Sequence, residues 1–224
     1  MKIFVLAAFD LEINPIVRAF HLIKSNQFGF TKRWTCKRFD LLQTNIGKVN
    51  AAATTQYLID HEHPDWIINV GFCGGFTKKA TVGDIFIPTE VIQYDMDQTK
   101  FGFPLGRIHG LEKITFSLEP IRLKTVAHKT GICISADKLL SDKKEGTKLY
   151  RLFHPSVVDM ELGAIAHVCL LNKTRLSALK SPVDIVEKEE IRSFASRAHI
   201  GVCNLIAALE ETLDYLSYKS MHLQ

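Results

Sequence analysis

Strand-like and helix-like hydrophobic patterns alternate along the chain. Short continuous apolar runs, typical of buried strands, are separated by longer segments in which apolar residues recur every three to four positions. The alternation predicts a central β-sheet flanked by helices. It continues without an internal repeat or a low-complexity linker, so we expect a single α/β domain over residues 1–224.

The elements can be assigned in order from this pattern. Strands are expected at 3–8, 28–36, 38–44, 65–76, 82–94, 131–135, 156–159 and 175–180. Helices are expected from Glu12 to about Lys24 with Pro15 in the first turn, after the glycine turn at 45–48, after the strand at 156–159, and from Ser193 to about Tyr218. The segments 95–110 and 181–190 are expected to be loops, the first of them mobile and near the surface.

Composition and charge exclude several classes of protein. The formal net charge of +4 comes from 28 basic and 24 acidic residues spread along the chain, without a basic stripe, which argues against nucleic acid as a partner. No apolar run reaches the roughly 18 residues of a membrane helix, and the apolar start has no cleavage site of a secretion signal. The cysteines are widely spaced and mostly lie in apolar runs. We expect reduced core thiols in a cytoplasmic protein.

Three acidic residues follow buried strands. Glu12 comes after the first strand, Glu161 after the strand at 156–159, and Asp184 after the strand that ends at Lys180. Any one of them is more readily explained as a helix cap or a surface ion pair. Because ligands bind at the ends of strands in such sheets, the joint placement beside the glycines of GFCGGF predicts a site.

The chain resembles a known family along nearly its whole length. The matching segments, in the family's order, are MKIFVLAAFDLE, NIGKVNAAA, IINVGFCGG, VGDIF, FGFPLG, ISADKLL, VVDMELGAIAHVC and DIVEKE. They are similar to the purine nucleoside phosphorylase and hydrolase superfamily, and within it to the bacterial nucleosidases acting on 5'-methylthioadenosine and S-adenosylhomocysteine. The resemblance implies a central mixed sheet in a three-layer α/β/α arrangement, and a homodimer.

The resemblance also implies a role for individual residues. Glu12 matches the general base that activates water, and Asp184 matches the acid that protonates the purine at N7. Met160 and Glu161 match the pair that holds the ribose. Leu139 and Leu140 match positions whose backbone reads the edge of the base. The other candidate substrate contacts are Phe9, Ile46, Phe72, Cys73, Gly74, Gln98, Phe101 and Phe194, of which Gln98 and Phe101 would serve the partner subunit.

The proposed roles agree with the chemistry of N-glycosidic bonds. Cleavage leaves an oxocarbenium-like sugar and a poor leaving anion, so an acid at the base and a carboxylate-activated water at C1' are suitable. No metal or cofactor is required. Water is the expected nucleophile because no arginine near GFCGGF or the first strand would bind phosphate. A phosphorylase and a non-catalytic nucleoside-binding protein remain as alternatives.

Several residues depart from the family pattern. Ser-Pro-Val replaces the usual Ala-Ile-Ser before Asp184, and Lys180 replaces an arginine, which keeps the charge without the fork geometry. Phe9, Phe72 and Gln98 alter the 5' pocket. Extra aromatic surface and a polar group favour the branch that cleaves futalosine or 6-amino-6-deoxyfutalosine in menaquinone biosynthesis, although the aromatics could equally repack a methylthio pocket.

Overall fold

A mixed sheet forms the centre of the protein in the computed structural model, which describes residues 1–25, 27–186 and 194–222. Its strands within these ranges are β1 (Ile3–Ala7), β2 (Ile23–Lys24), β3 (Arg33–Thr35), β4 (Asp40–Gln43), β5 (Trp66–Gly75), β6 (Phe86–Gln93), β7 (Thr115–Ser117), β8 (Lys129–Ser135), β9 (Val157–Asp159) and β10 (Leu176–Ile185). The helices are α1 (Asp10–Ala19), α2 (Lys48–Glu62), α3 (Lys143–Phe153), α4 (Leu162–Asn172) and α5 (Phe194–His222).

The strand pairing brings several chain segments to the end of β5. Strand β5 runs parallel to β1 and β10 and antiparallel to β9. Strands β10, β6, β8 and β9 continue the pairing and return to β5, so these strands close on themselves. The carboxyl ends of the parallel strands β1, β5 and β10 therefore meet at one edge, where ligands bind in α/β sheets.

Two buried clusters lie on opposite faces of the sheet. Alternate residues of β1 and β5 pack on one face against α1 and α5, and the intervening residues pack on the other face against α2 and α4. Both strands are buried along nearly their whole length, as expected for strands covered on two sides. The predicted three-layer α/β/α arrangement is confirmed.

The first helix differs from its prediction at both ends. It begins at Asp10, because the Glu12 side chain binds backbone N–H groups just before it, and it ends at Ala19. Pro15 therefore lies inside the helix and not in its first turn. His21 has a left-handed backbone conformation, with φ of 50°, which stops the helix before β2.

The predicted loop at 181–190 is partly wrong. Strand β10 continues through Ser181 to Ile185, because it stays paired with β5 over this stretch. Residues 187–190 and the predicted helix start at Ser193 lie outside the described residues. Helix α3 and strand β7 were not predicted. Among the cysteines, Cys203 is exposed and not in the core.

No helix within the described residues combines the length and apolar character needed to cross a lipid bilayer.

Candidate active site

Glu12 connects the ends of β1 and β5. Its Oε2 accepts hydrogen bonds from the backbone N–H groups of Ala8 (2.7 Å) and Phe9 (3.4 Å), and its Oε1 accepts one from Phe72 (2.7 Å). A side chain at Gly71 would place its Cβ 2.7 Å from Oε1, so glycine is required there. The residue is only 3% exposed. Burial raises the pKa of Glu12, and the backbone donors and the Lys180 charge oppose that rise.

Glu161 lies at the junction between β9 and α4. Its Oε1 accepts a hydrogen bond of 2.9 Å from the backbone N–H of Gly47, the residue that precedes α2. Burial and the neighbouring Asp159 charge raise the pKa of Glu161 to about 7, against the effects of Lys180 and Gly47. Glu161 is therefore near its titration point at neutral pH and close enough to Glu12 for their charges to interact.

Asp159 and Lys180 are site residues that the sequence reasoning did not assign. Lys180 Nζ lies 2.6 Å from Asp159 Oδ2, and both side chains are 1% exposed. Asp159 also accepts hydrogen bonds from the Leu162 N–H (3.0 Å) and the Ser135 hydroxyl. Burial alone would lower the pKa of Lys180, but the charges of Asp159 and Glu161 raise it. A lysine inside the apolar run LSALK was the available signal.

A β-bulge places Asp184. Strand β10 pairs Pro182 with Cys73 and Asp184 with Gly74, so Val183 is an extra residue in the ladder. A Cβ on Gly74 would lie 3.1 Å from Asp184 Oδ1, which brings this carboxylate to the end of β5. Burial raises the pKa of Asp184, and the Arg197 charge opposes the rise. Asp184, which was predicted to lie in the loop 181–190, lies in β10 instead.

A small cavity brings several of the predicted contacts together. Asp184 shares it with Met160, Gly74 and the leucines at 139 and 140. Leu140 is buried, whereas Leu139 is exposed. The full lining is Gly74, Lys138, Leu139, Leu140, Val158, Asp159, Met160 and Asp184. Its lining thus sets the Asp184 carboxylate beside the apolar side chains of Met160 and Leu140.

The candidates for the 5' side are more dispersed. The rings of Phe9 and Phe72 meet edge to face at 5.9 Å, and Phe72 belongs to the core cluster shared with α5. Ile46 is half exposed, next to the Gly47 that binds Glu161. The Cys73 thiol is buried in the core, and burial raises its pKa well above the usual range.

Two predicted contacts lie near the surface. Gln98 is half-buried and precedes a short 3-10 turn, Thr99–Phe101, whose last residue, Phe101, is 82% exposed. Neither residue lines the cavity beside Asp184. The side chain of Phe194, another predicted contact, is outside the described part of the chain.

Known proteins share both the sequence pattern and this fold. A family model described as the phosphorylase superfamily matches residues 2–213. The 5'-methylthioadenosine/S-adenosylhomocysteine nucleosidase of Marinomonas sp. (strain MWYL1) is 30% identical over 194 residues, covering 82% of this chain and 84% of the relative. The crystal structure of the nucleosidase of the same name from Neisseria meningitidis, in complex with methylthio-immucillin-A, aligns with a TM-score of 0.84 at 25% identity, over 95% of this chain and 98% of that one.

Futalosine hydrolase of Helicobacter pylori strain 26695 aligns with a TM-score of 0.85 over 96% of this chain and 97% of that one. Its sequence identity is 22%, so this likeness concerns the fold alone. The family model and the Marinomonas relative each cover most of the chain. The chain thus belongs to the phosphorylase superfamily and, within it, to the family of 5'-methylthioadenosine/S-adenosylhomocysteine nucleosidases.

Proposed function

We propose that this chain hydrolyses the N-glycosidic bond of a 5'-substituted adenine nucleoside, with 5'-methylthioadenosine as the first candidate substrate. Its family consists of nucleosidases, so the chain is an N-glycosyl hydrolase. The observation that carries the proposal is that Glu12, Glu161 and Asp184 converge around the end of β5, each with a pKa raised by burial. Raised carboxyl pKa values suit proton transfer near neutral pH.

Asp184 is the proposed acid at the base. Its carboxyl proton passes to a ring nitrogen of the purine as the bond between C1' and the base breaks, so the base leaves without a negative charge. Burial keeps Asp184 protonated to higher pH than a free aspartic acid. Met160, Leu139 and Leu140 line the same cavity and would contact the sugar and the base edge.

Glu12 and Glu161 are the proposed groups on the sugar side. Glu161 would accept hydrogen bonds from ribose hydroxyls and stabilise the positive charge that develops at C1'. Glu12 would take a proton from the attacking water, whose oxygen bonds to C1'. The products are a free 5'-substituted ribose and the free base. Gly47 donates to one oxygen of Glu161, which leaves the other oxygen to bind sugar.

Three features favour water over phosphate as the nucleophile. The backbone N–H groups of Ala8, Phe9 and Phe72 bind the Glu12 carboxylate, so they are not available to an incoming anion. The buried ammonium of Lys180 is engaged by Asp159. Phosphate entering this region would also face the charge of Glu12. A phosphorylase is therefore less well supported.

A second candidate substrate is an aminodeoxyfutalosine-type nucleoside with an aromatic 5' substituent. The edge-to-face pair of Phe9 and Phe72 supports it, because an aromatic ring can pack against a partly exposed Phe9. The same pair also packs into the core with α5, which suits a smaller methylthio group. The name of the similar Marinomonas protein supports 5'-methylthioadenosine as the first candidate.

A homodimer is part of the proposal. Phe101, Val49 and Leu139 are all strongly exposed apolar side chains close in sequence to site residues. Covering them with a second copy would remove apolar surface from water and bring new contacts to the 5' side. Light scattering during gel filtration tests this, and a monomer at micromolar concentration would reject it.

Product analysis on the purified chain tests the proposed function. Methylthioadenosine, S-adenosylhomocysteine and aminodeoxyfutalosine are supplied separately, with and without phosphate, and the base and sugar products are separated by chromatography. We expect free base and free sugar, at a rate independent of phosphate. Sugar phosphate would indicate a phosphorylase. Binding without release of base from any of the three would indicate a nucleoside-binding protein and reject the proposal.

A further inference from the structure

Helix α2 begins with a residue that the helix itself disfavours. Lys48 is its first residue, and no acidic residue occupies the first turn. A cation at the amino end of a helix meets the positive end of the helix dipole. The side chain is nevertheless only 18% exposed, so contacts outside the helix hold it in place.

Those contacts come from the end of β6 and from the segment after it. Lys48 Nζ lies 2.6 Å from Asp95 Oδ1 and 3.2 Å from Gln93 Oε1. The other oxygen of Asp95 accepts a hydrogen bond of 3.0 Å from the Asp137 N–H. Asp137 precedes the residues Leu139 and Leu140 that line the cavity. The Lys48 ammonium thus links α2 to the end of β6 and, through Asp95, to the segment beside the proposed base site.

The backbone N–H groups of Gly47 and Lys48, in the turn that leads into α2, bind two carboxylates at the site. The Gly47 N–H donates to Glu161 Oε1 (2.9 Å), and the Lys48 N–H donates to Asp137 Oδ1 (2.6 Å). Gly47 has a φ of 98°, and a Cβ there would lie 3.1 Å from Asp137 Oδ1. The turn is therefore tight, and a shift of Lys48 would move the N–H groups that hold Glu161 and Asp137.

We propose that Lys48 is a positioning residue of the active site: by binding Asp95 and Gln93 it fixes the turn whose N–H groups hold Glu161 and Asp137. The assignment rests on the proposed function for its catalytic consequence, since Glu161 is the proposed ribose ligand. It does not require Lys48 to touch substrate. Its direct effect is on the position of the Gly47 N–H that donates to Glu161. That effect does not depend on a bound substrate.

Three variants isolate this role. Lys48→Met removes the ammonium and keeps the length of the side chain, whereas Lys48→Arg keeps the charge. Lys129→Met is the matched control, because Lys129 binds Asp84 at 2.7 Å at the start of β8. Should Lys48→Met fail to fold, Asp95→Asn removes the same ion pair and keeps an acceptor for the Asp137 N–H.

The first measurement needs no substrate. Carbon-13 NMR follows the titration of the Glu161 carboxyl, assigned by comparison with Glu161→Gln. The charged groups Asp159, Lys180 and Glu12 also act on Glu161. All the Lys48, Asp95 and Lys129 variants retain these three groups, so their effect is the same in each protein. We expect Lys48→Met to raise the pKa of Glu161 by roughly one unit through loss of the Gly47 donor. Lys48→Arg and Lys129→Met should leave it close to wild type.

The second measurement is steady-state cleavage. Lys48→Met should raise KM by about tenfold or more and move the rising limb of kcat/KM to higher pH, with a smaller change in kcat. The KM of Lys48→Arg should be close to that of wild type. A Lys48→Met protein with a lower Tm but unchanged KM and Glu161 titration would overturn the inference. Wild-type protein that cleaves no nucleoside would reject the proposed function, and the NMR comparison would still decide the role of Lys48.

Discussion

Asp159 and Lys180 form an ion pair with both side chains removed from solvent. The Nζ to Oδ2 distance is 2.6 Å, and the two residues come from β9 and β10, which both pair with β5. The ion pair thus links β9 to β10 across β5, close to the acids of the site. It is therefore part of the scaffold of the site as well as a source of charge.

We expect Asp159→Asn to destabilise the protein by about 3–5 kcal/mol, because it leaves the Lys180 ammonium buried without its counter-charge. The double variant Asp159→Asn, Lys180→Met should recover part of that loss. Urea unfolding measures both. Asp84→Asn, which breaks a more exposed pair with Lys129, should change the free energy of unfolding by less than about 1 kcal/mol. Equal effects of the two single variants would contradict burial as the cause.

Asp184→Asn should lower kcat by about 100-fold or more, since an amide cannot supply the proton to the leaving base. The fold should survive, because asparagine has nearly the same shape. Chromatographic detection of released base gives the rate, and circular dichroism gives the folded state. Asp60→Asn is the control, at an exposed position on α2. A fully active Asp184→Asn protein would remove the proposed acid from the mechanism.

Gly74→Ala and Gly75→Ala should separate stability from chemistry. A Cβ at Gly74 would meet Val158 at 2.9 Å and Asp184 at 3.1 Å, whereas one at Gly75 would meet Ala80, Ile185 and Pro182 at 2.7 to 3.2 Å. Both variants should lose about 1–3 kcal/mol through overpacking. Gly74→Ala meets the Asp184 carboxylate itself, whereas Gly75→Ala meets only neighbouring side chains, so kcat/KM should fall further for Gly74→Ala. Parallel losses of activity in both variants would contradict this.

The titration of Glu161 should appear in the stability of the protein. Its pKa is raised from 4.5 to about 7 in the fold, so the native state retains a proton that the unfolded chain has lost between these values. The contribution of this group to the free energy of unfolding therefore falls as pH rises through that window. Urea unfolding at about pH 5 and about pH 8 should show a smaller fall for Glu161→Gln than for wild type, by on the order of 1–3 kcal/mol. If the free energy of unfolding falls equally for Glu161→Gln and wild type between these pH values, Glu161 does not titrate in that window.

The sequence pattern predicted the layers of the fold better than the ends of its elements. Apolar runs such as IFVLA and WIINVGFCGG are buried on two sides and were identifiable as strands. Helix α3 was not predicted, although Leu149 and Phe153 lie one turn apart on its buried face and the Asp142 side chain caps its first turn. Pro182 lies within β10, although proline is uncommon in paired strands. Its position beside a bulge explains why β10 tolerates it.

The acids of the site were recognisable as residues placed after buried strands. Glu12, Glu161 and Asp184 have that placement, and the structure brings them to the end of β5. Asp159 and Gly47 were not recognisable in the same way. Their contacts depend on strand pairing and on the turn before α2, which join residues far apart in the chain. Hydrophobic periodicity carries no information about such contacts.

The bulge at Val183 makes the proposed chemistry depend on chain length. A bulge bends its strand and sets the direction of the side chains beside it, so deleting Val183 would change the direction of the Asp184 carboxylate while leaving every side chain of the site chemically unchanged. Hydrophobic substitutions in the preceding Leu176–Leu179 stretch change packing without removing the bulge. Insertions and deletions between Lys180 and Asp184 therefore form a separate class of inactivating change, which residue identity at Asp184 does not reveal.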